Sequence, residues 1–487
     1  MTGPRRVPSL GSIQGDPGHL VVEVAPVSAS FVSAAPRSGH IDFGSIQGRI
    51  VMRRPVSRRV SAAVAGLAAV GLLTACSSEE PGTDDGGETS EPSASQVEEI
   101  VVATAETPWL ASYEQMANLY QEKTGVTVTL QVFPFDGLLT QQANAAQNGS
   151  NAFDVFQMNE QWVGQFYDNG WVQPLEEVDP DFEWDPNLIE FDGVGRWDAD
   201  ARTTSMDGVP YALPMNGNIH EFMYRRDLYD QLGLEVPTTW EEVIANGKAG
   251  LAAGIENGYV LRGKTPTYDF SALLFSLDGD WFPGEQDGDW TPGADTPEFR
   301  SALEQFKALA EIGPDAPQTV AQAEATSLMQ GGSVLQATLV SAVAAPLENE
   351  GSSTVAGKIG YAVLPGQTPV SGTWTVGVPA GLPDERAQAA YDFITWLTSQ
   401  EAMQKWAEVG GITTRTDIES DRPELQVIID SADMIRGGLR YTFAPLMLEV
   451  TDPAIGEYLA GTMSLDETIT RIQDGLTRVV EEAGYGS

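Results

Sequence analysis

The sequence predicts an α/β protein, and three observations carry that prediction. Apolar β-branched runs alternate with helix-period stretches from residue 100 onward. The 487 residues suffice for two or three lobes of ordinary size. A hydrophobic content of 42% with 11 tryptophans supplies sizeable cores.

The first elements follow in order. Ile100-Val101-Val102-Ala103-Thr104 is a short apolar run, the pattern of a buried strand. Over 109–123, Leu110, Tyr113, Met116, Ala117 and Tyr120 recur at three- and four-residue spacing, which predicts a helix that Gly125 can end. Residues 126–133 alternate as a second strand, 138–147 read as helix, and Phe153-Asp154-Val155-Phe156 reads as a third strand. This order implies right-handed crossovers and a parallel sheet covered on both faces. Ligands gather beyond the carboxyl ends of such strands. Here those ends are Glu106–Trp109, Pro134–Asp136 and Gln157–Trp162. Further along, Thr238 with Glu241 and Ser464 with Glu467 fit capping boxes, and Asp295-Thr296-Pro297 precedes a helix through Leu303, Phe306 and Leu309.

The amino-terminal region is of another kind. Residues 1–51 have no helical or strand period; Gly-Ser-Ile-Gln-Gly occurs at 11–15 and again at 44–48, too short a match for a structural repeat. Met52 then opens a basic stretch with Arg53, Arg54, Arg58 and Arg59, followed by sixteen mostly apolar residues up to Cys76. A membrane span needs about 20 apolar residues, so the run fits a signal peptide better. Leu73-Thr74-Ala75-Cys76 resembles a bacterial lipobox, which makes Cys76 the expected lipidation site after cleavage. Residues 1–51 are then expected to be upstream translation or disordered, 52–75 a lipoprotein signal peptide, and 76–96 an acidic flexible tether rich in Ser, Gly and Pro.

Charge and residue counts exclude much chemistry. The chain holds 27 Lys+Arg against 69 Asp+Glu, a net of −42, which disfavours nucleic acid as a partner. Cys76 is the only cysteine, so no internal disulfide is possible. His220 is the only histidine beyond Cys76, and no nucleophile-elbow motif accompanies it. No Gly-rich phosphate loop, HExxH or Cys/His cluster occurs, so neither a cofactor nor a metal is expected. Acidic pairs are frequent only because the chain is acidic, and they do not by themselves make a glycosidase.

A set of motifs then appears in a fixed order. Gly208-Val209-Pro210-Tyr211-Ala212-Leu213-Pro214 is followed by Tyr224-Arg225-Arg226-Asp227-Leu228 and by Pro237-Thr238-Thr239-Trp240-Glu241-Glu242. Upstream stand Phe153-Asp154-Val155 and Gly170-Trp171-Val172-Gln173-Pro174-Leu175. Downstream stand Gly360-Tyr361-Ala362-Val363-Leu364-Pro365, Gly372-Thr373-Trp374-Thr375-Val376-Gly377 and Gly410-Gly411-Ile412-Thr413-Thr414-Arg415. Over about 97–487 this pattern resembles the family 1 extracellular solute-binding proteins, the sugar-capturing components of ABC importers related to maltose-binding protein. Within the family it looks most similar to binders of sugar alcohols or monosaccharides.

The resemblance implies a two-lobed periplasmic-binding-protein-like fold of type II, with a hinge of about three crossings near 214–220, 364–374 and 414–420. Lobe 1 is then 97–218 and 367–416; lobe 2 is 219–366 and 417–487. It implies a monomer that is not an enzyme. It captures a small sugar or polyol and hands it to ABC permease subunits, at the outer face of the cytoplasmic membrane. A lipid-anchored glycoside hydrolase and a non-transport carbohydrate sensor or adhesin stand as alternatives.

A polyhydroxylated ligand needs aromatic platforms for its C–H faces and polar groups for its hydroxyl rim. Trp109 follows the first strand, Glu160 and Trp162 the third, and Asn216 and Asn218 lie on the first expected crossing. Arg262 precedes Tyr268 and Asp269, and Trp281 follows an acidic turn. Thr338 ends a strand, Trp374 sits where the family often stacks a ligand, and Arg415 follows the Gly410-Gly411 turn. Core packing is the ordinary role for each tryptophan, and capping or interlobe bonding for each polar residue.

Overall fold

The computed structural model describes residues 97–285 and 288–485. The signal segment, Cys76 and the tether lie outside the described residues.

The first sheet contains β1 (Glu99–Ala105), β2 (Thr127–Phe133) and β3 (Val155–Asn159), which are parallel, as the alternation predicts. They are linked by the helices α1 (Leu110–Thr124) and α2 (Phe135–Gln147). Gly125 ends α1 in the left-handed region at φ 83°, where a side chain would be strained. β3 runs to Asn159, beyond the apolar run 153–156. Asp154 lies before the strand and accepts from the Val101 N–H and from Arg386. Asn159 therefore stands at the carboxyl edge and caps α3 (Glu160–Asp168) by accepting from Gln161 N.

Two strands from further along complete this sheet. After the short helix α4 (Leu175–Val178) and a ribbon of β4 (Arg196–Trp197) with β5 (Val209–Pro210) comes β6 (Ala212–Asn216). β10 (Trp374–Gly377) enters between β3 and β6, antiparallel to both, giving the order β2-β1-β3-β10-β6. The helices α11 (Asp384–Leu397) and α12 (Gln400–Glu408) pack on the same core, where Tyr113, Phe156, Phe393 and Trp406 are buried.

The second sheet is β8-β7-β9, with β7 (His220–Arg225) antiparallel to β8 (Gln336–Val340) and to β9 (Ile359–Ala362). Around it lie α5 (Arg226–Leu232), α6 (Trp240–Ala252), α7 (Pro266–Ser276), α8 (Pro297–Ala310), α9 (Gln322–Gly331) and α10 (Ala344–Leu347). After α13 (Pro423–Ser431), α14 (Ala444–Leu459) and α15 (Leu465–Glu482) pack onto α7 and α8, burying Phe270, Phe299, Met447 and Leu476. The cap of α6 falls one residue later than expected. Thr239 is the extended residue whose hydroxyl accepts from Glu242 N, so the box is Thr239 with Glu242, while Thr238 donates to the same carboxylate. Thr296 caps α8 with Pro297 at its first position, and Ser464 with Glu467 caps α15, both as expected.

Between the sheets the chain runs through 217–219 from β6 to β7 and through 363–373 from β9 to β10. These paths pair: Gly372 N donates to Asn218 O at 2.8 Å and His220 N to Val370 O at 3.0 Å. The third segment beside them is not 414–420. Residues 414–416 bond instead to Asn187 and Ile189, next to the first sheet, because Ile189 N and Thr416 N complete that pairing. Arg436 lies alongside the crossing, its N donating to Pro369 O and its O accepting from Ser371 N.

Gly217 sits where the first crossing meets the 412–413 segment, its N donating to Ile412 O. A Cβ there would lie 2.0 Å from the Thr413 carbonyl oxygen and 2.9 Å from the Phe191 ring. Gly217→Ala is therefore expected to lose at least about 1–3 kcal/mol in urea unfolding, since backbone has to move to admit the methyl. Unchanged stability would show that the crossing yields freely.

Candidate functional site

A cavity of about 440 Å³ opens between the two sheets. Its first wall is built from the strand ends that the sequence singled out: 106–109 after β1, Phe135 after β2, and 159–161 after β3. Trp374, the first residue of β10, completes it. The second wall carries Arg262, Tyr268, Gln322 and Val340, together with Leu448 and Asp452 of α14.

The aromatic wall is ordered by edge contacts around one ring. Trp374 has Trp109, Trp162 and Phe135 around it, each with ring centroids 5.8 Å away and interplanar angles of 73–80°. Such T-shaped contacts favour rings whose positive edges meet negative faces. Trp109 and Trp374 are 4% exposed, while Phe135 stands at the rim at 42%. The buried indole Nε1 of Trp109 and Oγ1 of Thr107 have no hydrogen-bond partner among the described residues.

The opposite wall is a charged cluster. Asp269, in the first turn of α7, accepts from Arg262 Nε at 2.8 Å and from Arg262 N at 3.0 Å. It also contacts Arg262 Nη2, and His220 Nε2 lies 3.0 Å away. Burial alone would raise the Asp269 carboxyl; the Arg262 guanidinium and His220 outweigh it and hold it at about 2. Burial lowers the His220 pKa, against the raising effect of Asp269. Arg262 Nη1 donates to Gln322 Oε1 at 2.9 Å, and the guanidinium lies over the Tyr268 ring at 5.2 Å. Tyr268 in turn packs on the His220 ring at 4.2 Å.

Glu160 joins the walls at the crossing. One oxygen accepts from Thr373 N at 3.2 Å and the other from Gly438 N at 2.6 Å. Burial pushes this carboxyl up to about 7, against the lowering effect of Ser371, Gly438 and Thr373, with Asp192 adding repulsion. Asn218 Oδ1 accepts from Ala342 N at 3.0 Å, which ties the first crossing to the second sheet.

Of the residues singled out from sequence, Trp109, Glu160, Asn218, Arg262, Tyr268 and Trp374 line the cavity. The other six do not. Trp162 backs Trp374 from behind, and Asp269 lies behind Arg262. Asn216 Oδ1 accepts from Ile412 N, and Thr338 is buried within β8. Trp281 is wholly buried in the second core with Nε1 on Ser271 Oγ. Arg415 is consumed by Asp185, Asp417 and the Thr398 carbonyl beside the first sheet. Glu106 and Phe135 lie in strand-end segments that the topology pointed to, but residue type alone did not mark them. Gln322 and Asp452 had no local signal, because helices distant in sequence bring them to the site.

Among the described residues, no group of three or more His, Cys, Asp or Glu is placed to hold a metal ion. No helix among them is long and apolar enough to cross a membrane.

Two sheets facing one cleft, with the chain passing between them, form a two-lobed fold. A solute-binding protein from Agrobacterium radiobacter, solved in complex with ribitol, superposes with a TM-score of 0.66 over 80% of this chain and 99% of that one, at 20% identity. The sequence model of bacterial extracellular solute-binding proteins matches residues 103–404, and the chain belongs to that family. Its relatives include a probable amino-acid ABC transporter periplasmic-binding protein of Sinorhizobium fredii, 24% identical over 65% of this chain and 72% of the relative. The mannitol-binding protein of Pseudomonas aeruginosa is 23% identical over 80% of this chain and 95% of its own length.

Glu160 gives a pH test. Its carboxyl stands at about 7 in the folded protein against an ordinary 4.5. Between these values the folded state keeps a proton that the unfolded chain releases, so this group makes stability fall as pH rises through the window. Glu160→Gln removes that loss. The melting temperature of the variant relative to wild type is expected to climb from pH 4.5 to about 7; a flat difference across the window would contradict the burial argument.

Proposed function

We propose that this protein is the lipid-anchored, extracellular receptor of an ABC importer for a monosaccharide or sugar alcohol. The observation that carries the reading is the cleft, which has an aromatic wall on one sheet and a hydrogen-bonding wall on the other. A sugar or polyol presents C–H faces to Trp109, Trp374 and Tyr268 and hydroxyls to Asn218, Gln322 and Asp452. The name of the Pseudomonas aeruginosa relative and the ribitol bound in the Agrobacterium radiobacter structure support the same ligand class.

Two lobes, one built on each sheet, would rotate about the paired crossings. A ligand that touches both lobes favours the closed form by its differential affinity. The closed monomer then docks on the permease subunits, one lobe to each. No bond is made or broken in the receptor, and transport work comes from the importer's ATPase. Cys76 supplies the anchor, and 76–96 the reach from the membrane.

Two measurements test this. In a thermal-shift panel of polyols, monosaccharides and short oligosaccharides, a true ligand at about 100-fold its Kd adds about 2.7 kcal/mol of stability. A rise in Tm with a polyol or monosaccharide is expected, and no response across the panel would overturn the assignment. In a host that processes lipoproteins, the full chain is expected to fractionate with membranes and Cys76→Ser to be released; identical fractionation would remove the anchor.

A further inference from the structure

The charge of the cleft says more about the ligand than its shape does. Two carboxylates line it, from Asp452 and the exposed Glu106, beside the Glu160 carboxyl that burial holds at about 7, against one cation, Arg262. That cation is already spent. Asp269 neutralises it from behind, and Gln322 takes a further N–H. None of these three acids forms an ion pair among the described residues. Asp452 accepts from Thr267 N at 3.0 Å and Thr267 Oγ1 at 2.5 Å, both through Oδ1, and Oδ2 has no partner there. Burial raises the Asp452 carboxyl, and Asp269 adds repulsion, the signature of an acid lacking a counter-charge.

The rest of the wall suits a cation that also carries hydroxyls. Trp109, Trp374 and Tyr268 supply aromatic lining, and Tyr268 already holds the Arg262 guanidinium by cation–π attraction. The buried Trp109 Nε1–H, unpartnered among the described residues in a side chain 4% exposed, needs an oxygen acceptor. A hydroxyl meets that need; a simple alkylammonium does not. An anionic group would face the partly buried, uncompensated Asp452 carboxylate and Glu106.

Resting on the reading of the cleft as a sugar or polyol site, we propose that its preferred ligands are polyhydroxylated ammonium compounds, amino polyols or amino sugars, and that it rejects the corresponding sugar acids.

The test uses probes of one size that differ in a single group. Calorimetry on the full chain at pH 7 compares D-glucitol, 1-amino-1-deoxy-D-glucitol and D-gluconate, and in parallel D-glucose, D-glucosamine and D-glucuronate. The amine is expected to bind at least ~10-fold tighter than the neutral member, and the acid at least ~10-fold weaker, as one nearby charge supplies in a partly screened site. The advantage of the amine is expected to shrink from low salt to about 0.5 M NaCl. Asp452→Asn keeps the Oδ1 acceptor for Thr267 and is expected to narrow the amine-to-neutral ratio about tenfold. Equal binding within a set, or a preference for the acid, overturns the charge proposal while leaving the sugar reading intact. If no member of either set binds, both fall together.

Discussion

The insertion of β10 between β3 and β6 is the constraint on which the rest of the structure depends. Its four residues come from beyond the second sheet and fill the middle of the first, so the first sheet is incomplete without chain that has visited the second. The antiparallel register Trp374↔Asn159 and Trp374↔Asn216 puts one indole at the carboxyl edge of the sheet, where the cleft begins. The same insertion brings Thr373 N to the Glu160 carboxylate and Gly372 N to Asn218 O. A change in the angle between the lobes must be absorbed by the few residues on either side of this strand.

Charge is distributed with the same economy. Beyond Cys76 the chain has 19 basic residues against 66 acidic ones, and among the described residues Arg225, Arg262 and Arg415 are buried. Arg262, Arg415, Arg422 and Arg440 hold carboxylates between elements far apart in sequence or fix a turn beside them. Removing one partner of such a buried pair leaves a bare charge and costs more than the pair itself contributes. The outer surface is left strongly negative, and the lining of the cleft shares that sign.

Local physics made much of the fold legible. The period of α1, its end at Gly125 and the caps at Thr296 and Ser464 depend on neighbours within four residues, and the structure has each of them. The strand-end rule located the first wall, including Trp109 and Glu160. Errors came where tertiary contacts decide. The capping box slipped from Thr238 to Thr239 because either threonine can bond the same carboxylate. β3 reached Asn159 because its pairing with β10, over two hundred residues later, extends it. Trp281 follows an acidic turn, as a cleft residue could, yet Phe270 and Phe299 enclose it within the second core.

Asp452 shows why the second wall was harder to read than the first. The first wall is assembled from strand ends, whose position follows from chain order alone in a parallel sheet. The second is assembled from helices packed on an antiparallel sheet, with no such edge to mark. Asp452 precedes Pro453 within α14 and looks like any of the chain's many acids. It faces the cleft only because α14 packs against α7, where the Thr267 N–H and hydroxyl orient its carboxylate. The aromatic platforms that suit a sugar ring are thus written in local sequence. The charged and hydrogen-bonding groups of the second wall are set by helix packing instead.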